Sequence, residues 1–187
     1  MIKTKKDLLE YMLIDKRVLG ISESQKRPSI WGDDLWRFLR VLRKLEYYTN
    51  NHDSFISRLK LSFYFKYHRI LRIIYGFEIP PNCFDAGLKL NHLGPIIVNE
   101  KARIGKFCDI HIGVNIGQNY SPEEVPIIGD NVWIGPGVKI FGKITIADGI
   151  MIGANSVVNK SFTEPNITIA GIPAKKISNN GNPWIRK

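Results

Sequence analysis

A six-residue pattern recurs through residues 127–162, which read IIGDNVWIGPGVKIFGKITIADGIMIGANSVVNKSF. When residues are counted in sixes from Val98 to Val158, a branched aliphatic stands at ten of the eleven positions. The eleven positions are Val98, Ile104, Ile110, Ile116, Pro122, Ile128, Ile134, Ile140, Ile146, Ile152 and Val158. A fixed internal period is typical of solenoid proteins, in which each coil covers the core of the next.

The repeat predicts short parallel strands that wind around the three faces of a prism. One aliphatic side chain per repeat points inward, and the next residue is small or turn-forming in most repeats, which allows the chain to bend. Three repeats then complete one coil. Cys108 stands four positions after an inward aliphatic, where other repeats also carry small or aliphatic residues, so we expect it to be buried and to have no chemistry.

One interruption falls at residues 118–126, QNYSPEEVP, where Pro122 replaces the aliphatic. The register resumes at Ile128, so we expect a loop that projects from the prism. Loops on a rigid solenoid often carry binding contacts, but an acidic loop with prolines is equally compatible with plain surface. The sequence leaves both interpretations open.

The N-terminal part has the spacing of helices. Residues 31–48 place leucines and Phe38 at three- and four-residue steps and predict an amphipathic helix. Residues 54–75 carry five Lys/Arg and no acid among many aromatic and aliphatic side chains, and predict a second helix ending near Gly76. This basic helix 54–75 either packs within an oligomer of the chain or makes peripheral contact with a membrane surface.

Composition excludes several classes of protein. The net charge of +10 is concentrated in residues 1–76, which hold 16 Lys/Arg against 8 Asp/Glu, whereas residues 77–187 hold 11 against 9. No nucleic-acid reading motif accompanies this charge, so we expect no nucleic-acid partner. The charged N-terminus lacks the apolar stretch of a signal peptide, and two cysteines match neither a disulfide framework nor a zinc site. A cytoplasmic location is expected.

The repeats, with the segments GLKLNHLGPIIVNEKARIG (residues 87–105) and NITIAGIPAKKI (residues 166–177), resemble the hexapeptide-repeat acyltransferases and their serine O-acetyltransferase branch. The chain is also similar to serine-acetyltransferase-like proteins of bacterial surface-polysaccharide pathways. The resemblance covers roughly residues 77–178. It implies a mainly β fold, a left-handed parallel β-helix preceded by an α-helical N-terminal region. We therefore expect a helical region at 1–76 and an acyltransferase domain at 77–187.

The resemblance also implies a homotrimer that binds acetyl-CoA in the groove between neighbouring prisms and uses no metal. Transfer of an acetyl group from a thioester to a hydroxyl requires a base for the hydroxyl proton. Histidine is the natural base because its ordinary pKa lies near neutrality. His92 matches the catalytic histidine of the family, and it stands six residues before Val98, where the repeat would place an aliphatic.

A carboxylate commonly orients a catalytic imidazole and stabilises the imidazolium. The resemblance points to Glu78 for this role, although one residue fewer separates it from His92 than in the family. Asp85 is the competing carboxylate.

The acceptor side departs from the serine acetyltransferase pattern at two places. Asn91 stands where the family has an Asp directly before the histidine, and EEVPIIG (residues 123–129) replaces the segment with an Arg-His pair. Both changes weaken recognition of free serine and favour a sugar hydroxyl. His111, at a turn position usually occupied by Gly, is either an acceptor contact or an ordinary exposed residue.

For the donor, the family match places Gly135 and Ala154 against pantetheine, with Asn159 and Lys160 further along. Lys175 in the AGIPAKK segment would meet the nucleotide phosphates as a cation. Each of these residues is also explained by repeat structure or solvent exposure alone.

The leading hypothesis from sequence is therefore an acetyl-CoA-dependent O-acetyltransferase that modifies a sugar of a surface polysaccharide or its precursor. The alternatives are serine O-acetylation for cysteine biosynthesis and a non-catalytic trimeric scaffold.

Overall fold

The structure, a computed structural model, describes residues 1–184. Three helices come first, namely α1 (Lys5–Val18), α2 (Asp34–Asn50) and α3 (Phe55–Tyr75). The two helices expected from spacing, at 31–48 and 54–75, are confirmed as α2 and α3, whereas α1 was not predicted. Gly76 ends α3 in the left-handed conformation with φ of 77°, which glycine adopts without strain.

Within residues 1–184, fourteen short strands follow the helices and form three sheets. Sheet A contains β1 (Phe77–Glu78), β3 (Ile96–Val98), β6 (Asn115–Gly117), β9 (Lys139–Phe141) and β12 (Val157–Val158). Sheet B contains β4 (Arg103–Ile104), β7 (Ile127–Ile128) and β10 (Thr145–Ile146). Sheet C contains β2 (Lys89–Leu90), β5 (Asp109–Ile110), β8 (Trp133–Ile134), β11 (Met151–Ile152), β13 (Thr168–Gly171) and β14 (Ala174–Ser178).

From β2 to β12 the chain visits the three sheets in rotation, and the neighbouring strands within each sheet are parallel except for the pair of β13 and β14. This is the left-handed parallel β-helix that the sequence predicts. The ten repeated aliphatics, from Val98 to Val158, are all at most 3% exposed, so their stacked side chains form the axis of the core. Cys108 is fully buried, and burial raises the pKa of its thiol, as expected for an inert cysteine.

The C-terminal end of the prism is closed by an antiparallel pair. Strand β14 pairs with β13 in the opposite direction, which ends the rotation of strands and covers the last coil. Residues 118–126 form the expected loop between β6 and β7, and Tyr120 within it is 93% exposed.

The helices share one continuous hydrophobic core with the prism. Arg43 of α2 is fully buried and pairs with Asp15 of α1 and with Glu46. Its guanidinium also donates to the backbone carbonyls of Phe84 and Asp85 at 2.8 and 2.7 Å. These bonds compensate the burial of the charge and fasten the helices to the first coil. The division into regions 1–76 and 77–187 stays a prediction.

No helix within residues 1–184 is long and apolar enough to cross a membrane.

Candidate active site

His92 lies at a corner of the prism. We call the corners that lead from sheet C to sheet A the C–A edge; they comprise residues 91–95, 111–114, 135–138 and 153–156. The first of these corners has five residues where the next three have four. The additional residue lets the chain bulge, and His92 is exposed at this bulge.

The end of α3 fixes the bulge. The Gly94 N–H donates to the Tyr75 carbonyl at 3.0 Å, and the Gly113 N–H donates to the Pro95 carbonyl at 2.6 Å. Gly76 is close enough that a Cβ there would lie 3.2 Å from the carbonyl carbon of Gly94. The loop that carries His92 is therefore held between the helical region and the next coil.

Asn91, directly before His92, is turned toward the face of sheet C. Its Nδ2 donates to Asp109 Oδ1 at 2.5 Å and to the Ile110 carbonyl at 3.2 Å. Asp109 is only 5% exposed, and its Oδ2 accepts from Lys89 Nζ at 2.9 Å. Since both amide hydrogens of Asn91 are used, its Oδ1 is the group left for an acceptor molecule.

His111 lies beside this cluster. Its Nε2 is 3.6 Å from Asp109 Oδ1, and its ring centroid is 6.5 Å from that of His92. Partial burial lowers the pKa of His111, and the Asp109 carboxylate opposes this shift. The structure thus brings three predicted residues, Asn91, His92 and His111, together on one edge.

Aromatic rings extend the cluster along sheet C. The ring of Trp133 lies 4.9 Å from that of His111 and 6.2 Å from that of Trp184, centroid to centroid. These flat apolar surfaces lie next to polar groups, an arrangement that suits ligands with both characters.

Glu78 does not contact His92. Its Oε1 accepts a hydrogen bond from Arg72 Nη2 at 2.8 Å, and the side chain is exposed on the outer face of sheet A. Asp85 lies beside α1, where it accepts a hydrogen bond from the Tyr11 hydroxyl. Within residues 1–184, the His92 ring forms no hydrogen bond with either carboxylate. The expected pairing of Glu78 with His92 is therefore not present in this conformation, because α3 supplies a closer cation.

A groove between α3 and the outer face of sheet A leads toward the C–A edge. Phe65, His68, Arg72, Glu78 and Ile97 line it, and it reaches Pro95, three residues after His92. This groove gives a small molecule a path to the corner that carries His92 from the side of Glu78.

The expected donor residues divide between two edges. Gly135 and Ala154 lie on the C–A edge, in later coils than His111. Ala154 is exposed, but Gly135 is buried, and a Cβ on Gly135 would meet the ring of Trp133 at 2.9 Å. At this position glycine makes room for the backbone of the next coil, whose Ile152 carbonyl oxygen would lie 2.8 Å from that Cβ, and for Trp133. A contact of Gly135 with pantetheine stays a prediction.

Asn159 and Lys160 lie on a different edge of the prism. This A–B edge comprises residues 99–102, 118–126, 142–144 and 159–161, which lead from sheet A to sheet B. Lys160 Nζ lies 5.5 Å from the centroid of the Phe162 ring. Lys175 is exposed on the terminal strand β14. Sheet A separates this edge from the C–A edge.

Three residues of the site were missed by the sequence analysis, namely Lys89, Asp109 and Trp133. They stand directly before the inward residues Leu90, Ile110 and Ile134, and therefore share one outward column on sheet C. Counting this outward position in sixes links Asp109 to Trp133, which stand 24 residues apart. Lys89 stands 20 residues before Asp109 and falls outside that count.

Comparisons with known proteins agree with this architecture. Residues 126–160 match the sequence profile of the bacterial transferase hexapeptide family (six repeats). The serine acetyltransferase of Helicobacter pylori strain J99 is 32% identical over 154 residues, which cover 81% of this chain and 82% of that protein. The serine acetyltransferase of Buchnera aphidicola subsp. Schizaphis graminum is 32% identical over 158 residues, 80% of this chain.

Several of these relatives are longer than the chain, which spans 59%, 46% and 53% of the Buchnera, Synechococcus elongatus and Staphylococcus xylosus serine acetyltransferases. Among solved structures, the serine acetyltransferase of Brucella abortus strain S19 in complex with coenzyme A superposes with a TM-score of 0.75 at 24% identity. That superposition covers 95% of this chain and 70% of the other. It shows the shared fold.

Proposed function

Since the chain belongs to the serine acetyltransferase family of hexapeptide-repeat transferases, we propose that it transfers the acetyl group of acetyl-CoA to an acceptor hydroxyl, with His92 as general base. The observation that carries this proposal is the position of His92. It is exposed on an edge that also presents Asn91 and His111, and the edge lies beside a groove that ends at the same corner.

In the proposed reaction, the acceptor oxygen attacks the carbonyl carbon of the thioester while His92 removes the hydroxyl proton. The carbon–sulfur bond then breaks, and the thiolate of coenzyme A leaves and takes up a proton from the imidazolium. The Asn91 Oδ1 and the His111 ring lie where they can orient the acceptor.

Glu78 is the proposed support for the imidazolium. Since its Oε1 binds Arg72 in the structure, this role requires Glu78 to exchange Arg72 for His92 when substrates bind. The exchange costs little free energy, because the Glu78 side chain is 55% exposed and an exposed ion pair is weak.

The donor is proposed to lie between prisms, with Ala154 and Gly135 contributed by one protomer and Asn159 and Lys160 by its neighbour. The separation of these residues onto two edges of one prism supports this division. The complex of the Brucella abortus relative with coenzyme A supports the choice of donor. The active unit is then a homotrimer. Sedimentation equilibrium that gave only a monomer at micromolar concentrations would contradict it.

Serine is the first acceptor in this proposal, because the relatives described above are named serine acetyltransferases. A sugar hydroxyl of a polysaccharide precursor is the second, and a specific observation favours it. Asn91 presents an amide oxygen where the family resemblance expects a carboxylate, and the neighbouring Asp109 is buried against Lys89 and Asn91. Recognition of an ammonium group is weaker without an accessible carboxylate.

Release of the coenzyme A thiol from acetyl-CoA, followed with a thiol reagent, tests the proposal and separates the acceptors. Serine and a panel of nucleotide sugars are offered to the full chain. Thiol release that depends on serine identifies a serine acetyltransferase, and release with a nucleotide sugar alone identifies the second candidate. If no acceptor gives release and calorimetry detects no binding of coenzyme A, the chain is a scaffold.

A further inference from the structure

Helix α3 buries only one of its sides. His68, Leu71 and Tyr75 face α2 and the prism and are at most 8% exposed. The rest of its surface presents large apolar side chains that are all more than half exposed, and two of them, Phe65 and Ile73, border the groove beside sheet A. These are Phe55, Ile56, Leu59, Phe63, Phe65, Ile70, Ile73 and Ile74. Contiguous exposed apolar surface of this extent marks a site of interaction.

Five of these residues form a stripe along the helix. Ile56, Leu59, Phe63, Ile70 and Ile73 follow one another at spacings of three, four, seven and three residues, which places them on one helical face. The apolar stripe therefore runs along most of the length of α3. We call the stripe, together with the neighbouring cations Arg58, Lys60, Lys66 and Arg69, the outer face of α3.

The charge on the outer face is entirely positive. Arg58, Lys60, Lys66 and Arg69 are all exposed, and α3 contains no acidic residue. Lys66 stands in the gap of the stripe, between Phe63 and Ile70. Within residues 1–184 none of these four cations forms an ion pair, so their charge is available to a partner.

This charge decides the kind of partner. A second copy of α3 packed on the stripe would bring Lys66 and its flanking cations against their own counterparts, and like charges at such distances repel. An acidic surface that also accepts apolar side chains has the complementary chemistry. The surface of a bilayer with anionic lipids has both properties.

We propose that the outer face of α3 binds the surface of an anionic lipid bilayer, with the apolar stripe entering the headgroup region and the four cations contacting lipid phosphates. The helix lies in the plane of the membrane surface and does not cross it. Each exposed Lys or Arg near such a surface strengthens binding by roughly fivefold. Since the Tyr75 carbonyl holds Gly94, the docked helix also keeps the His92 loop close to the membrane.

Co-sedimentation of the full chain with vesicles tests this proposal. Vesicles of phosphatidylcholine with phosphatidylglycerol should bind the protein at least about tenfold more strongly than phosphatidylcholine alone, and added salt should weaken the binding. K66E/R69E should lower binding to the anionic vesicles by at least about tenfold. F63S/I70S should also lower it, because less apolar surface is inserted. The control K106E/K143E, with the same charge change on exposed prism residues, should retain more binding than K66E/R69E.

Each variant is checked by circular dichroism and by sedimentation velocity. If the α3 variants change the mass of the assembly, the outer face is a contact between protomers and the proposal is wrong. Equal binding to both kinds of vesicle, absence of binding, or equal losses in the α3 and control variants would also overturn it.

Discussion

Asn91 donates a hydrogen bond from Nδ2 to Oδ1 of the buried Asp109. The bond fixes the orientation of the Asn91 amide and turns its oxygen away from the carboxylate. Because Asn91 directly precedes His92, the same bond holds the start of the His92 loop against sheet C. Asp109 thus links Asn91 to Lys89 and lies close to His111, so it organises the acceptor side of the site.

Asn91→Asp should destabilise the fold by about 1–3 kcal/mol at neutral pH, since it removes a donor and places two carboxylates in contact. The loss should shrink at acidic pH, where protonation of one carboxyl relieves the repulsion. Urea unfolding of both proteins at several pH values measures this. Asn119→Asp, in the exposed loop, is the control. An N91D protein as stable as the wild type at neutral pH would show that the bond to Asp109 is absent.

His68 should make stability depend on pH. Its ring is 3% exposed, and burial lowers its pKa from 6.5 to about 4, with a further contribution from the charge of Arg72. A lowered histidine pKa means that the unfolded chain binds the proton first, so stability is complete above pH 6.5 and is lost as pH falls toward 4. The loss should reach about 2 kcal/mol at pH 5.

His68→Phe should reduce this pH dependence, because phenylalanine does not titrate and fits the same site beside Phe38. The comparison uses urea midpoints at pH 7 and pH 5. An identical decrease in the wild type and in H68F would assign the pH dependence to other groups.

Lys175→Glu should weaken coenzyme A binding by about threefold to tenfold, because an exposed cation proposed to meet the phosphates becomes an anion. Isothermal calorimetry measures the dissociation constant. Lys106→Glu makes the same charge change on another exposed residue and should leave affinity close to that of the wild type. If the two variants bind coenzyme A equally, the nucleotide does not contact Lys175.

Glu78→Gln should lower turnover by about tenfold while the Michaelis constant for the donor changes little, since the imidazolium loses electrostatic support but the base remains. Arg72→Gln should raise turnover or leave it unchanged, because it releases Glu78 from the ion pair. Steady-state kinetics on the acceptor identified by thiol release gives both values. Full turnover in E78Q would exclude Glu78 from catalysis.

The prism was predictable because one inward residue in six is an intrinsic property of the sequence. Val98, Ile110 and Ile134 are buried where the count in sixes places them. Helices α2 and α3 were also predictable from the sequence, because their apolar residues recur at three- and four-residue spacing. Helix α1 was not, because its surface is charged on most sides and it is held by contacts such as Asp15 to Arg43, which depend on the tertiary structure.

The site was only partly predictable. One coil of three repeats brings His92 and His111, 19 residues apart, to one edge, so their approximate proximity follows from the sequence. The exposure of His92 does not, because the five-residue corner at 91–95 interrupts the count in sixes. The partner of Glu78 does not follow, because Arg72 reaches it from α3, an element outside the repeat. Nor does the burial of Gly135, since the ring of Trp133 covers it from the neighbouring outward column. Contacts between elements that follow different sequence periods, such as α3 and the six-residue repeat, are seen only in the three-dimensional structure.

The turnover of His92→Ala tests most directly whether His92 is the general base. The substitution should lower kcat by roughly 10²–10⁴-fold, the usual contribution of a positioned base, with coenzyme A affinity nearly unchanged. His52→Ala, at an exposed histidine between α2 and α3, should retain wild-type kcat. Near-wild-type turnover of H92A on the true acceptor would contradict the assignment and make His111 the next base to test.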